Sequence, residues 1–381
     1  MLTIPGKIPI RIHPFFWVLI FLLGWINSEA VQPMFIWAGV ILVSVLVHEF
    51  GHALTAVAFG QNAQIDLVAM GGLTSRTGPT LKLWQEFVIV LNGPLAGLAL
   101  YFIANFWLQH VAKDHHPYLA YALVVGVLVN LWWTLLNLIP ILPMDGGRLM
   151  SILLELIFGL KGVKMALFVS MLLAGALAIF FFYLGNYLVG SILLMFMYES
   201  YRNWQGSLII TDSDRDLKLQ RLVAEAENDA AHGRVQEGIE KFERVLRETG
   251  KGILYNSAAQ HLALLYANQG KYSEAIQLLA PLRTKLSADT LNLLQKLFYR
   301  TGELKKSIDY GTQVFQLSPD YQIALTNALS FAQLGDVKPT IGWLQASLRE
   351  GLPNMRDVLR MSEFDKIRHD PQFEEFARQT A

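Results

Sequence analysis

Cysteine is absent from this chain of 381 residues. Its absence excludes disulfides, zinc sites built on thiolates and cysteine nucleophiles, so any metal ion must be held by histidine and carboxylate side chains. A charge excess of either sign is absent as well, because 31 basic residues balance 31 acidic ones. Without surplus lysine and arginine to neutralise phosphates, we expect no nucleic acid among its partners.

Charged residues of any kind are scarce, at 16% of the chain, whereas hydrophobic residues make up 53%. An ordinary soluble domain carries about 25% charged residues. The scarcity lies in the N-terminal half, since charged side chains become frequent from Asp212 onward. We therefore predict a membrane domain at residues 1–205 and a soluble domain at residues 215–381.

Six apolar runs of the first domain approach or exceed the ~20 residues that a helix needs to cross a bilayer. They lie at about 13–27, 34–59, 84–109, 118–143, 165–183 and 185–200. The last run is short, so five spans remain an alternative. Residues 61–80 separate the second and third runs, and their glycines and Pro79 predict a short loop resembling a β-hairpin. The fold class expected is an all-α polytopic membrane protein followed by a helical solenoid.

The orientation in the lipid bilayer follows from the basic residues of the short loops. Lys7, Arg76, Lys161 and others fall on one side of a six-span arrangement, whereas the other side offers only Lys113. Basic loops remain in the cytoplasm. We therefore expect an integral membrane protein with both termini in the cytoplasm, and with the ends of the second and fourth spans at that same membrane level.

The soluble domain contains an internal repeat. Its aligned glycines, at spacings of 37, 32 and 33 residues, are Gly233, Gly270, Gly302 and Gly335. Tetratricopeptide repeats have a period of ~34 residues. In each repeat the glycine is expected to end the first helix of a pair, and a small residue packs the second. This pattern predicts a tetratricopeptide-like solenoid, with Leu264 in its buried interior, that binds a protein or peptide partner; an unrelated helical bundle is the alternative.

Residues 48–52 read His-Glu-Phe-Gly-His, an HExxH motif inside the second apolar run. Helical spacing puts His48 and His52 on one face, where they can grip a zinc ion while Glu49 reaches a water molecule on the metal. Each ionisable group costs at least ~2.5 kcal/mol near a bilayer centre unless it is paired or bound to metal. The alternative is that all three bond to neighbouring helices, although apolar residues would then stabilise the domain better.

A catalytic zinc ion usually has three protein ligands. Asp145 is the preferred third ligand, because Pro140 and Pro143 break the helix just before it and free backbone groups that only a protein-lined or water-filled cavity satisfies. Asp66, in the loop after the histidine helix, is the competing carboxylate. A further alternative is that Asp145 only caps the following helix at 146–158.

The HEFGH motif in a membrane helix, the glycine-rich loop and a later N-x-x-P-x-x-x-x-D-G motif together resemble the site-2 protease family of intramembrane zinc metalloproteases. The likeness covers about residues 10–200. By position, the resemblance implies that zinc is bound by His48, His52 and Asp145, and that Glu49 is the catalytic base.

Two further features carry the resemblance. Asn137 matches the family's asparagine, which implies that it helps to hold the substrate backbone or the developing oxyanion. Gly93 and Pro94 resemble the family's Gly-Pro motif, although members often have asparagine where this chain has Gly97. The zinc motif in the second span and the cytoplasmic C-terminal domain are most similar to compact bacterial members, so a bacterial inner membrane is expected.

The function predicted is that of an intramembrane zinc endopeptidase acting in regulated intramembrane proteolysis. It would hydrolyse a peptide bond in or near the transmembrane segment of single-span membrane proteins. Because the carbonyls of a substrate helix are already bonded, the helix must unwind, and the loop at Met70–Thr74 is expected to pair with it as an added strand. The alternatives are a non-proteolytic membrane scaffold, disfavoured by Glu49, and a transporter, disfavoured by the lack of an inverted repeat.

Overall fold

The computed structural model describes residues 1–28, 30–68, 71–110 and 117–380. Met70 and Lys113, which enter the predictions of the substrate loop and of the orientation, lie outside these residues. The chain forms two compact units, Met1–Leu208 and Ile209–Ala381.

Helices dominate the described part of the first unit. They are α1 (Pro14–Ser28), α2 (Val31–Ala58), α3 (Leu83–His110), α4 (Pro117–Asn137), α5 (Asp145–Phe158), α6 (Leu160–Tyr183) and α7 (Tyr187–Ser207). Among the described residues, α2, α3, α4 and α6 are long and apolar enough to cross a membrane. The mostly helical fold with long apolar helices is thus confirmed, whereas a count of six crossings stays a prediction.

Two of the predicted spans fall short for different reasons. Helix α1 is apolar but has only 15 residues, fewer than the ~20 that cross a bilayer in helical form. Helix α7 has 21 residues, but Glu199 and Arg202 in its second half lower its hydropathy. Neither helix therefore belongs to the candidate spans among the described residues, and the choice between five and six spans stays a prediction.

The helix of the fourth apolar run ends before the run itself does. Helix α4 ends at Asn137 and α5 begins at Asp145. Pro140 and Pro143 lie in the segment between them, where proline cannot donate a backbone hydrogen bond to a continuing helix. Asp145 therefore lies at the first residue of α5, just after the break that the two prolines predict.

A four-stranded sheet accompanies the helices of the first unit. Its strands are β1 (Leu2–Ile4), β2 (Ile10–Ile12), β3 (Asn62–Val68) and β4 (Gly71–Thr77), in the order β1-β2-β3-β4. The antiparallel pair β3 and β4 is the hairpin expected from the sequence, and β2 adds to β3 in parallel. The two N-terminal strands were not predicted, because three residues are too few to show an alternating pattern.

The sheet is fixed to the helices by alternate apolar residues. Ile65 and Leu67 of β3 are fully buried, and they share a core with Phe16 and Ile20 of α1 and with residues of α2. Burying one such side chain stabilises the fold by about 1.5–3 kcal/mol. This packing holds the neighbouring strand β4 against α2.

The second unit is helical throughout its main elements. Its α-helices are α8 (Leu217–Ala231), α9 (Val235–Thr249), α10 (Ile253–Asn268), α11 (Tyr272–Leu279), α12 (Ala288–Arg300), α13 (Leu304–Leu317), α14 (Tyr321–Leu334), α15 (Val337–Arg349), α16 (Met355–Val358) and α17 (Pro371–Thr380). Short 3₁₀ helices lie at Asp212–Arg215, Ala280–Lys285 and Ser362–Phe364.

Helices α8 to α15 form four consecutive pairs in the register that the repeat predicts. The turn inside each pair holds the aligned glycine with a positive φ, between 77° and 89°, at Gly233, Gly270, Gly302 and Gly335. Glycine adopts this conformation without steric cost, so it ends the first helix of the pair. The expectation of helical repeats is therefore confirmed.

The interior of the repeats differs from the sequence prediction at one position. Leu264 is 48% exposed, whereas Leu262, two residues earlier in α10, is 1% exposed and packs with Phe242 and Ala258. Successive positions on a helix point about 100° apart, so residues two positions apart, such as Leu262 and Leu264, face nearly opposite sides of the helix. The prediction that Leu264 lies in the interior is wrong.

Candidate metal centre

Helix α2 carries three ionisable side chains into the interior of the first unit. His48, Glu49 and His52 are 2%, 5% and 8% exposed. His48 and His52 lie four residues apart, so a helical turn places them on one face. Asp145, at the start of α5, is 8% exposed and completes the group.

The two imidazoles and the carboxylate converge on one point. Asp145 Oδ2 lies 3.0 Å from His48 Nε2 and 3.3 Å from His52 Nε2, and the two Nε2 atoms are 3.3 Å apart. One ligand atom from each residue thus lies within 4.8 Å of the others. Two histidine nitrogens and a carboxylate oxygen are a donor set that zinc accepts. The arrangement therefore fits a metal ion held by three protein ligands.

The orientation of His52 is set by its second ring nitrogen. His52 Nδ1 lies 2.8 Å from the Ile89 carbonyl oxygen on α3, which can only accept a hydrogen bond. The proton must then be on Nδ1, which leaves Nε2 with a lone pair directed at the cluster. A metal-binding histidine is commonly fixed in this way by a carbonyl or carboxylate.

Two glycines allow α2 and α3 to approach closely enough for this contact. A Cβ atom on Gly93 would lie 2.1 Å from His52 Nε2, and one on Gly51 would lie 2.2 Å from the Asn92 carbonyl oxygen. Both distances are far below van der Waals contact, so neither position accepts a side chain without displacement. The Gly-Pro motif of the sequence thus makes room for a predicted ligand, a role that sequence analysis did not identify.

His48 has a different environment on its second nitrogen. Its Nδ1 atom is buried without a hydrogen-bond partner among the described residues, and so is Thr134 Oγ1 on α4. A Cβ atom on Gly97 would lie 2.8 Å from Thr134 Oγ1 and 3.9 Å from His48 Nδ1. Both polar atoms therefore face the space beside Gly97, where the resemblance would often place an asparagine.

Glu49, on the same helix as the two histidines, contacts strand β4. Its Oε2 atom accepts a hydrogen bond of 2.6 Å from the Thr74 hydroxyl. A Cβ atom on Gly72 would lie 2.3 Å from Glu49 Cγ. Sequence analysis missed both contacts; the pair Gly71-Gly72 was the signal for a close approach, but it did not name the partner.

The structure does not bring every candidate into the cluster. The Asn137 side-chain amide donates to the Trp133 carbonyl at 2.9 Å, within α4. Asp66 lies on β3 and accepts a 2.9 Å hydrogen bond from Gln64. Among the described residues, the candidate metal group does not include Asp66, and the role of Asn137 stays a prediction.

Comparison with known proteins gives relatives for part of the chain, although no family model matches it. Stage IV sporulation protein FB of Bacillus subtilis is 31% identical over 146 residues, which cover 38% of this chain and 47% of that protein. Zinc metalloprotease MJ0392 of Methanocaldococcus jannaschii is 32% identical over 168 residues, which cover 42% of this chain and 47% of that protein. A solved site-2 protease from Methanocaldococcus jannaschii has a TM-score of 0.40 and 23% identity, over 53% of this chain and 94% of that one.

The chain spans less than half the length of these two curated relatives. Over the matched residues, the chain is more than 30% identical to proteins that are named zinc metalloproteases. The chain resembles the site-2 protease family of zinc metalloproteases, as its motifs predict.

Proposed function

We propose that this protein is an intramembrane zinc endopeptidase that hydrolyses a peptide bond in or near the transmembrane segment of membrane-protein substrates. The observation that carries the proposal is the convergence of His48, His52 and Asp145 beside Glu49. The histidines and Glu49 belong to a helix that is long and apolar enough to cross a membrane. Burying ionisable side chains of this kind in lipid costs free energy unless they are paired or bind a metal ion, so their presence indicates a functional site.

His48, His52 and Asp145 would hold the zinc ion. Bound zinc supplies a Lewis acid for the scissile carbonyl and makes a water ligand more acidic. Glu49 takes a proton from the attacking water on a carboxylate oxygen and delivers it to the leaving amine. Burial of these groups limits the access of bulk water, which strengthens the electrostatic interactions of the charged groups.

The substrate segment is unwound before cleavage, because a helical carbonyl is already hydrogen-bonded within its own segment. Strand β4 is the last strand in the sheet order, so its second edge pairs with no described strand. This edge is suited to add an extended substrate segment through backbone hydrogen bonds. Asn137, at the end of α4, would hold the other side of the substrate backbone or the developing oxyanion.

The wider assignment rests on the membrane helices and the repeats. Residues 1–205 form the protease domain with about six spans, and residues 215–381 form the tetratricopeptide-like domain. Basic residues in the short loops support cytoplasmic termini in a bacterial inner membrane. Stacked helix pairs present an extended surface, which supports the binding of a protein or peptide partner and the selection of single-span substrates.

Replacement of Glu49 by glutamine tests the proposal. The amide keeps the shape of the side chain but does not accept the proton, so cleavage of a single-span substrate should fall by at least about 10²-fold. Zinc, measured by mass spectrometry on purified protein, should stay at the wild-type amount. Cleavage by Glu49→Gln at the wild-type rate would remove Glu49 from the mechanism, and a wild-type protein that holds zinc but never cleaves would favour the scaffold.

A further inference from the structure

Strand β4 contacts the helices through every second residue. Gly72, Thr74 and Arg76 point inward: Gly72 lies against the Glu49 side chain, Thr74 donates to Glu49 Oε2, and Arg76 bonds to Glu86 of α3 at 2.7 Å. Alternate residues of a strand share one face, so these three contacts belong to one side of β4. The strand is thereby tied to α2 at the proposed base and to α3 beyond it.

The Thr74 hydroxyl makes the strongest of the contacts with Glu49. At 2.6 Å its distance to Oε2 is within the range for a hydroxyl that donates to an ionised carboxylate. The backbone oxygen of Glu49 lies farther from the same hydroxyl, at 3.3 Å. Because a hydroxyl has one proton to donate, the shorter contact assigns it to the carboxylate.

Gly72 allows the Glu49 side chain to lie close to the strand backbone. The place of a Gly72 Cβ atom is 2.5 Å from Glu49 Cδ and Oε1, so the carboxylate lies directly under the strand backbone. Glycine permits this approach, and the hydroxyl two residues further along then binds Oε2, which distinguishes the two carboxylate oxygens. One carboxylate oxygen is held by Thr74, while the other is left for proton transfer.

We propose that Thr74 is a positioning residue that holds Glu49 in the orientation for proton transfer. The inference rests on the proposed role of Glu49 as the base. It also links two steps of the reaction, because β4 both offers its edge to the substrate and carries the hydroxyl that fixes the base. Docking of a substrate segment on β4 and placement of the carboxylate therefore depend on the same strand.

The test compares Thr74→Val with Thr74→Ser in the full-length protein. Valine keeps the shape of threonine but lacks the hydroxyl, so kcat for a single-span substrate should fall about tenfold or more, while KM and zinc content stay within about twofold, as expected for loss of a hydrogen bond to a charged group. Serine restores the hydroxyl and should recover most of kcat. Thr80→Val is the matched control, because Thr80 is exposed and lies beyond the end of β4, and it should leave kcat unchanged.

Three results would overturn the inference. Wild-type kcat in Thr74→Val would show that the hydroxyl is dispensable, and a raised KM with unchanged kcat would assign Thr74 to substrate binding instead. Loss of zinc in both Thr74→Val and the smaller Thr74→Ala would assign it to support of the metal site. Failure of the proposed function gives a different result, namely full cleavage by Glu49→Gln.

Discussion

The two units of the chain differ in the ionisable side chains that they bury. In the repeat unit the buried polar residues are mostly neutral and bond to each other: Gln295 donates to Asn327 Oδ1 and to the Ile323 carbonyl, and Ser307 donates to the Gln295 carbonyl. The membrane unit, Met1–Leu208, also buries neutral side chains such as Asn130 and Ser170, but in addition it buries an ionisable cluster in which the ion-pair partners of Asp145 are His48 and His52.

The difference separates buried polar side chains that support helix packing from buried polar side chains that suit a functional site. A network of neutral side chains specifies how helices pack and needs no charged ligand, although Gln295 Oε1 and Asn327 Nδ2 have no hydrogen-bond partner among the described residues. A carboxylate and two imidazoles that converge in an apolar surrounding are costly, and a bound cation offsets the cost by neutralising the charge and accepting the lone pairs. The comparison therefore favours a metal ion in the membrane unit and a structural role for the buried amides of the repeats.

The repeat unit also shows how a buried charge is stabilised without metal. Asp229 is 5% exposed, and its carboxylate contacts Lys241 at 2.6 Å and Arg234. Hydrogen bonds from Lys241 and then Arg234 lower the pKa of Asp229 from its ordinary value. Two permanent cations thus do for Asp229 what a metal ion is proposed to do for Asp145.

The largest effect is expected on zinc content when Gly93, which makes room for the His52 ring, is replaced. Gly93→Ala would place a methyl group in the position of the His52 ring, so zinc content should fall as far as in His52→Ala or Asp145→Ala. Metal analysis of purified protein measures this. Gly39→Ala on α2 is the control, because its Cβ would meet nothing within 4 Å. Full zinc in Asp145→Ala together with loss in Asp66→Ala would show that the wrong carboxylate was chosen.

A charge placed in the repeat core should have a large effect on one unit alone. Leu262→Asp should destabilise the repeats by about 3–5 kcal/mol, because the buried carboxylate has no partner, and leave zinc content unchanged. Chemical denaturation of the fragment Ile209–Ala381 measures the free energy of unfolding. Leu264→Asp, on the exposed side of α10, is the matched control and should change stability little. Equal effects of the two variants would contradict the burial described for this helix.

Removal of the repeats should change selectivity more than chemistry. A chain that ends at Leu208 should retain zinc and cleave a generic peptide that unwinds easily, because the candidate metal ligands all belong to the first unit. It should lose its preference for the physiological substrate or its response to a partner. Cleavage of both substrates by the truncated and full-length proteins, at matched zinc content, measures the difference. Unchanged rate and selectivity in cells would assign the repeats to a separate task.

The smallest effect concerns pH and the repeat unit alone. Burial acts to raise the pKa of Asp214, but hydrogen bonds from Leu254, Thr211 and Ile253 outweigh it and lower the pKa. A lowered pKa in the folded state gives stability that is present above the unfolded pKa of about 3.9 and is lost as the pH falls through the folded value. Asp214→Asn should therefore destabilise the fragment Ile209–Ala381 at pH 7, and the difference from wild type should shrink in acid.

Urea unfolding of both proteins between neutral and acidic pH measures this prediction. Asp212→Asn is the control, because Asp212 is exposed in the same 3₁₀ helix, and it should leave the pH dependence unchanged. A constant difference between Asp214→Asn and wild type at all pH values would show that the hydrogen bonds to Asp214 act without its charge.

The sequence by itself determined the features that depend on local spacing. His48, Glu49 and His52 lie within two turns of one helix, so the motif defines their relative placement before any packing occurs. The four aligned glycines likewise mark helix pairs, because a positive φ at the end of a helix is a local property. Apolar runs predicted the membrane helices for the same reason, although their lengths left the number of crossings open.

Only the tertiary structure decided which distant groups meet. Asp145 lies 97 residues after His48 and reaches it because α5 packs against α3, which packs against α2; the sequence named Asp145 but left Asp66 as an alternative. The sequence named Gly93 in a motif and Thr74 in a loop but predicted neither the approach of Gly93 to His52 nor the hydrogen bond of Thr74 to Glu49, since these depend on how α3 and β4 approach α2. Helix geometry is encoded within a few neighbouring residues, whereas these contacts depend on close packing between segments far apart in the chain.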